Sequence, residues 1–370
     1  MTTADVLRLD LAHARTVAVE LLEAVGAQPD HARATVDNLL FADCSGIASH
    51  GLLRLPLYAK AVIAGGINVA PRMRWEAESV GAGLLDADAA FGQVAMEEAL
   101  RWIEAQRGRA STVTVAVQSS SHFGAGGYWT RRLAEAGWLA IGVSSTGPTV
   151  APFGATRKVL GTNPLSISLP AGAEEPLTAD LATSSGAYGK VIGARNAGTS
   201  IPEGWAVDAE GNSTTDPEAA MAGALTAFGG HKGSAIAVML EGLSVVLGEA
   251  SFAFETEDIW SNPGSRMNVG HMIIAIDPGA FVSSASTAER VQKLRDAVRG
   301  AGEAVMAPGD PEQRARAERS KWIPLARSTV DAIDSMAVSV GVPGLAAHSD
   351  ISHPDISHPD STVDTKEHQR

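Results

Sequence analysis

Between residues 112 and 144 the chain reads as strand, glycine-rich turn, helix and strand, and this order restricts the fold more than any other feature. Thr112 to Val117 and Leu139 to Ser144 are short apolar runs of strand length. Phe123-Gly124-Ala125-Gly126-Gly127 supplies the turn, and Gly127 to Ala136 the helix. Two strands joined by a single helix cannot form a hairpin. The helix carries the chain back across the sheet, so the strands run parallel and one face of the sheet is covered. The class this implies is α/β.

Further strands are expected at Ala82 to Leu85, Leu165 to Leu169 and Met272 to Ile276. Both ends of the chain read as helices instead. Apolar residues recur at helical spacing from Leu9 to Val25, from His31 to Ala42 behind a capping Asp30, and from Leu52 to Ala64. Ala288 to Arg299, Pro311 to Arg319 and Val330 to Val340 repeat the pattern at the other end. Leu225 to Gly248 is apolar and rich in small residues, which predicts a buried helix after Lys232. The expected organisation is a helical part over 1–78, an α/β domain over 79–284 that binds cofactor and substrate, and a helical part over 285–345 packing on the first. Residues 346–370 read as a disordered tail, because Ile-Ser-His-Pro-Asp at 351–355 recurs unchanged at 356–360 without apolar periodicity.

Charge removes whole classes of partner. The 370 residues carry 29 Lys and Arg against 42 Asp and Glu, a net −13. A basic footprint for nucleic acid is missing, and an anionic membrane surface would repel the chain. The apolar run from Gly233 to Leu247 is interrupted by Glu241 and Gly242 and is too short for a bilayer. The N-terminal residues lack the order of a signal peptide, and one cysteine rules out an internal disulfide, so the cytoplasm is the expected compartment.

The usual nucleotide and hydrolase signatures fail. The turn at Phe123 resembles a dinucleotide fingerprint, but Trp129 stands where its last glycine belongs. No phosphate-binding loop of the Gly-x-x-x-x-Gly-Lys type and no Gly-x-Ser-x-Gly elbow occur. What remains is a set of polar residues between apolar elements. His50 and Arg54 are four apart at the start of an expected helix, which puts them on one face. An imidazole exchanges a proton near neutrality, and a guanidinium forks a carboxylate. The same residues also suit a plain cap and a surface arginine. His122 heads the glycine turn after a strand, where open α/β sheets bind ligands, or is a simple turn residue. Lys232, at the head of the apolar helix, opposes the helix dipole unless an anion binds there. Asp180 is a candidate orienter for a histidine, and the small and hydroxylated residues after it, Leu181-Ala182-Thr183-Ser184-Ser185-Gly186, let backbone amides approach a phosphate.

Taken in order, these blocks resemble the malate/L-lactate dehydrogenase family of the second type. The resemblance spans about residues 5 to 343. It runs through Ala42-Asp43, Gly46, Ser49-His50-Gly51, Arg54 and Tyr58, then Ser121-His122-Phe123-Gly124 and Pro152-Phe153-Gly154. Leu160-Gly161-Thr162-Asn163-Pro164, Asp180 to Ser184, Gly204 to Asp208, Thr214 to Pro217, Lys232-Gly233 and Pro308-Gly309-Asp310 follow. The family implies a mixed-sheet nicotinamide-binding domain of non-Rossmann type, a helical domain built from both chain ends, a homodimer, and NAD or NADP as cofactor. It implies hydride transfer at C2 of a small 2-hydroxy or 2-oxo carboxylate, or of a cyclic imine carboxylate.

By this resemblance His50 is the proton donor, Asp180 steadies it or the substrate, and Arg54 holds the substrate carboxylate. Ser49, His122 and Thr146 line the substrate pocket. His122, Gly124, Thr162, Asn163, the run Leu181, Ala182, Thr183, Ser184, Ser185, Gly186 and Ala187, then Lys232, Gly233, Pro308, Gly309 and Asp310 contact the cofactor. No metal is implied. Members acting on ureidoglycolate carry Asp where Gly147 stands, which counts against that substrate unless a neighbouring side chain replaces it. Two competing classes remain open to test: a zinc enzyme using His50, His122, His231 and Asp180, and a non-catalytic binder on the same fold.

Overall fold

The computed structural model describes residues 6–348. Of the tail expected over 346–370, residues 346–348 belong instead to a 3-10 helix, Leu345–His348, while residues 349–370 with the repeat lie outside the described residues. The chain opens with β1 (Val6–Asp10), α1 (Leu11–Ala24), α2 (Pro29–Cys44) and α3 (Leu55–Ile63). The middle contains β2 (Arg74–Ser79), β3 (Ala82–Asp86), α4 (Gly92–Ala105), β4 (Thr112–Ser120), α5 (Gly126–Glu135) and β5 (Leu139–Ser144). It continues through β6 (Val150–Ala151), β7 (Leu165–Leu169), β8 (Leu177–Leu181), α6 (Tyr188–Ala197), β9 (Ala206–Val207), β10 (Ser213–Thr214), α7 (Pro217–Ala222) and β11 (Ala224–Thr226). α8 (Gly230–Val245) and β12 (Val269–Ile276) lead to α9 (Ser284–Arg299), α10 (Asp310–Glu318), β13 (Trp322–Ala326) and α11 (Arg327–Val340).

Seven strands form the main sheet in the order β2-β3-β4-β12-β5-β7-β8. β3 and β4 pair in parallel, joined by α4. The expected unit of β4, α5 and β5 is present, but its strands are not neighbours. β12 lies between them and runs antiparallel to both. An apolar strand from residue 269 onward completes the pairing of both neighbours, a long-range event with no local signal. The sheet is therefore mixed. A smaller sheet, β10-β9-β11-β6, stands apart from it.

The first expected helix begins later than its apolar residues suggest. Leu7 and Leu9 point inward while Arg8 stacks outward over Trp322, an alternation of period two. Those residues are a strand, paired antiparallel with β13 more than three hundred residues on. Asp10 ends it and caps α1, its carboxylate accepting the His13 N–H at 2.8 Å. Asp30, expected as a cap, sits inside the first turn of α2, which starts at Pro29. The chain ends thus meet through β1 and β13, while Ile323, Leu325, Ile333 and Ala337 join Leu9, Leu21, Leu22 and Leu39 in one core. α9 leans on the middle segment, with Val291 against Ala171 and Leu177.

α8 departs from its expected burial. Gly233, Ala237, Leu240, Glu241, Ser244 and Val245 are buried, but Ile236, Met239, Leu243 and Val246 are exposed. A helix apolar on all sides needs cover on all sides, and this chain covers only one. Among the described residues no helix is long and apolar enough to cross a membrane.

Candidate active site

The site begins at the end of α2. Asp43 is buried and turns its carboxylate toward the next bend of chain, where Oδ2 accepts the Leu52 N–H at 2.7 Å. A Cβ at Gly51 would lie 2.0 Å from Asp43 Oδ1, so only glycine passes. Burial pushes the Asp43 carboxyl up to about 7, against the opposing pull of the Leu52 hydrogen bond and Arg319. This anchor bends the chain into two short 3-10 turns, Ala48–His50 and Leu52–Arg54. The expected helix starts only at Leu55, so His50 and Arg54 reach the same pocket through a kink and not along one helical face.

His50 is half-buried, with Nδ1 bonded to Ser49 Oγ at 3.0 Å. Its ring stacks on that of His122, the centroids 5.6 Å apart. Arg54 donates Nε–H to Ser49 O at 2.8 Å and lies over the Trp260 ring at 4.5 Å. Its two terminal nitrogens have no acceptor and no ion pair among the described residues. They are free to fork a carboxylate. Burial first, and the Arg54 charge second, lower His50 to about 4. His122 is lowered too, by burial and then by His50 and Arg54. Both imidazoles are neutral at pH 7.

Behind His122 runs a buried chain of hydrogen bonds. Gln93 Nε2 donates to the Tyr58 hydroxyl at 3.1 Å, and Tyr58 meets His122 Nδ1 at 2.6 Å. With Gln93 donating, the hydroxyl gives its own hydrogen to Nδ1, which leaves the His122 proton on Nε2. Beneath lies His271 on β12, fully buried between Ser144 (2.8 Å) and Ser120 (2.9 Å) and stacked on Phe123. Burial lowers His271 to about 3, so a neutral ring sits between the two serines.

The residues expected at the cofactor divide into two groups. Thr146 Oγ1 accepts the Thr162 N–H at 2.9 Å, and Thr183 bonds to the carbonyls of Thr162 and Asn163. Asn163 is fully buried; its amide nitrogen donates to Glu241 at 2.6 Å, while its amide oxygen has no partner among the described residues. Thr183 and Asn163 therefore build the wall of the site from behind. Leu181, Ala182, Ala187 and Lys232 are exposed, and Gly186 packs under Trp205. Gly233 admits no side chain, since a Cβ there would lie 1.5 Å from Phe228 O. Lys232 stands on the first turn of α8, which carries no acidic residue.

Asp180 lies at the end of β8 and accepts the Gly127 N–H at 2.7 Å, at the positive end of α5. Solvent reaches its carboxylate, yet protein crowds it on most sides, and desolvation raises it to about 6. Among the described residues it makes no bond to His50. It lines a cleft with Gly127, Thr178, Pro308 and Gly309. Asp310 also borders that cleft, but its carboxylate is tied to Arg299 (2.6 and 2.9 Å) and to Ala307 N, so it shapes the loop. His231, on the first turn of α8, pairs with Phe153, and among the described residues no three His, Cys, Asp or Glu side chains gather where they could hold a metal ion. Spacing and motifs assign no role to Tyr58, Gln93, Asp43, Asp258, Trp260 or His271. Tyr58 and Asp43 at least fall within the blocks that carry the family resemblance. Trp260 and Asp258 lie in an irregular loop, where no periodicity marks them.

Comparison with known proteins follows the same outline. A family model described as malate/L-lactate dehydrogenase matches residues 9–334. The (2R)-3-sulfolactate dehydrogenase (NADP(+)) of Chromohalobacter salexigens is 36% identical over 334 residues, 90% of this chain and 98% of that protein. The structure of sulfolactate dehydrogenase from Methanocaldococcus jannaschii aligns with a TM-score of 0.86 at 30% identity, over 91% of this chain and 98% of that one. That of delta1-piperideine-2-carboxylate reductase from Pseudomonas syringae aligns with a TM-score of 0.81 at 29% identity, over 89% and 99%.

Proposed function

The chain belongs to the malate/L-lactate dehydrogenase family, and from that premise we propose that it moves hydride between NAD or NADP and C2 of a small 2-hydroxy or 2-oxo carboxylate. One observation carries this reading. A guanidinium with both terminal nitrogens free shares a half-buried pocket with two neutral imidazoles. Arg54 holds the substrate carboxylate and so fixes C2 beside His50. His122, locked by Tyr58, offers Nε2–H to the oxygen on C2. His50 exchanges the proton that this oxygen gains or loses, with Ser49 steering its ring.

The run Leu181 to Ala187, exposed at both ends, would hold the cofactor together with Lys232 and the Pro308-Gly309 turn. The close approach at Gly233 and the acid-free first turn of α8 fit an anionic diphosphate. When bound, the nicotinamide ring supplies or accepts the hydride. Asp180 stays beside the Gly127 amide and closes that cleft.

Burial first, and the Arg54 charge second, disfavour imidazolium at His50, so while Arg54 lacks a counter-ion the ring carries no proton to give near neutrality. A substrate carboxylate on Arg54 cancels the second of these. Substrate binding is therefore expected to take up a proton. Calorimetry of oxamate binding in buffers of different ionisation heat checks this, and zero uptake between pH 5 and 7 contradicts the role of His50.

A second reading keeps the residues and puts nitrogen in place of the C2 oxygen. The fold shared with the piperideine-2-carboxylate reductase favours it. Oxidation of NADH and of NADPH, each against pyruvate, oxaloacetate, sulfopyruvate and piperideine-2-carboxylate, tests both readings. Turnover with the oxo acids supports the first, turnover with the imine alone supports the second, and none removes both. The uncovered face of α8 is read as the contact between two copies in a homodimer, since Ile236, Met239, Leu243 and Val246 form a continuous apolar stripe.

A further inference from the structure

Asp258 belongs to the loop that carries Trp260, and its two oxygens differ. Oδ1 accepts the N–H of Trp260 at 3.0 Å and of Ser261 at 2.9 Å, and the Ser261 hydroxyl at 3.1 Å. That oxygen closes the turn, as Asp side chains commonly do. Oδ2 takes no donor among the described residues. It is not one of the fully buried polar atoms that lack a partner, so solvent reaches it. It faces Gly147, where an added Cβ would lie 3.0 Å away. Gly147 follows Thr146, and Trp260 supports Arg54 and touches His122 at 5.4 Å between centroids. Asp258 attracts Arg54 without pairing with it. The pocket thus presents one free guanidinium fork, two neutral imidazoles, and one carboxylate oxygen without a donor.

We propose that Asp258 sets substrate specificity, its Oδ2 receiving a hydrogen-bond donor at the far end of a substrate whose carboxylate lies on Arg54. This rests on the function proposed above and narrows its substrate class. The far group is an amide, a ureido-type N–H, an ammonium or a hydroxyl. A second acid group would meet Oδ2 with like charge and no hydrogen to share. The absence of a side chain at Gly147 leaves Oδ2 open to the pocket, so a carboxylate from a distant loop occupies the place that a residue at 147 would otherwise control.

An isosteric pair reads this directly. Oxaloacetate and its 4-amide, 2-oxosuccinamate, differ only in oxygen against NH2. The wild-type protein is expected to show a kcat/KM for the amide about tenfold or more above that for the diacid. Asp258→Asn keeps Oδ1 for the turn and replaces Oδ2 with a donor, so the ratio falls about tenfold or more. Asp258→Ser keeps the turn through its hydroxyl and lacks the second oxygen, and it also loses the preference. A wild-type preference for the diacid overturns the inference without any variant. So does a ratio moved by less than about threefold in the variants that fold. Pyruvate, which has no far group, separates the two levels. Wild-type turnover of pyruvate with an unmoved ratio removes this inference alone. No turnover of pyruvate or of either member of the pair removes the proposed function as well.

Discussion

At the scale of single residues, the candidate site leaves particular atoms without partners. Arg54 has two free terminal nitrogens, and His50 has a free Nε2. His50→Asn is expected to lower kcat by about 10²–10⁴-fold with cofactor affinity retained, read by steady-state kinetics and by NADH fluorescence titration. Near-normal kcat would contradict it. Arg54→Lys replaces a fork with a point charge, so KM for 2-oxo acids rises more than kcat falls. Tyr58→Phe keeps the buried ring but frees His122 Nδ1 and strands the Gln93 amide. We expect about 1–3 kcal/mol lost from stability. A change in the His122 tautomer, seen by nitrogen NMR, separates this from a packing effect. An unchanged spectrum would show that Tyr58 does not position the ring. His50, Arg54 and His122 are legible from their motif blocks alone. Gln93, Trp260 and Asp258 are not, because a hydrogen bond from α4 and a ring from an irregular loop leave no trace in local spacing.

At the scale of elements, two features carry consequences. Leu9, in β1, reads locally as the start of the apolar series expected to continue as a helix to Val25. The strand state of β1 depends on β13, whose apolar run is as short as β1 itself. Leu9→Ala is expected to cost about 2–5 kcal/mol in urea unfolding, the usual range for a fully buried leucine. A loss below about 0.5 kcal/mol, the range of surface changes, would show that β1 is not part of the folded core. α8 is legible as apolar, but not which of its sides is covered. Met239→Glu places a charge in the middle of the exposed stripe. If that stripe joins two copies, the dimer weakens by about tenfold or more, measured by light scattering over a dilution series. An unchanged assembly would assign the face to something else.

Across the whole molecule, buried titratable groups pull stability in opposite directions. The three histidines at the site and below it are depressed, His50 to about 4, His271 to about 3 and His122 in the same direction. Unfolding lets them bind protons from about 6.5 downward, so their contribution is lost as pH falls. Asp43 and Asp180 are raised, to about 7 and about 6. Their contribution is present below about 4 and is lost as pH rises toward 7. Asp43→Asn carries no such charge, so its stability relative to the parent is expected to be better at pH 8 than at pH 5 in urea titrations. A difference unchanged between the two pH values would show that Asp43 ionises as readily in the folded protein as in the unfolded chain. By itself the sequence determined the class, most strands of the main sheet, the terminal helices and the polar blocks that face the site. Those follow from period, turn chemistry and short-range spacing, which the chain carries locally. Tertiary structure decided that β12 divides β4 from β5, that β1 pairs with β13, and that Asp43 kinks the turn of His50. It also decided that Asp258 turns an unpaired oxygen toward Gly147. Each of those depends on residues far apart in sequence meeting in space, and packing alone selects which of them meet.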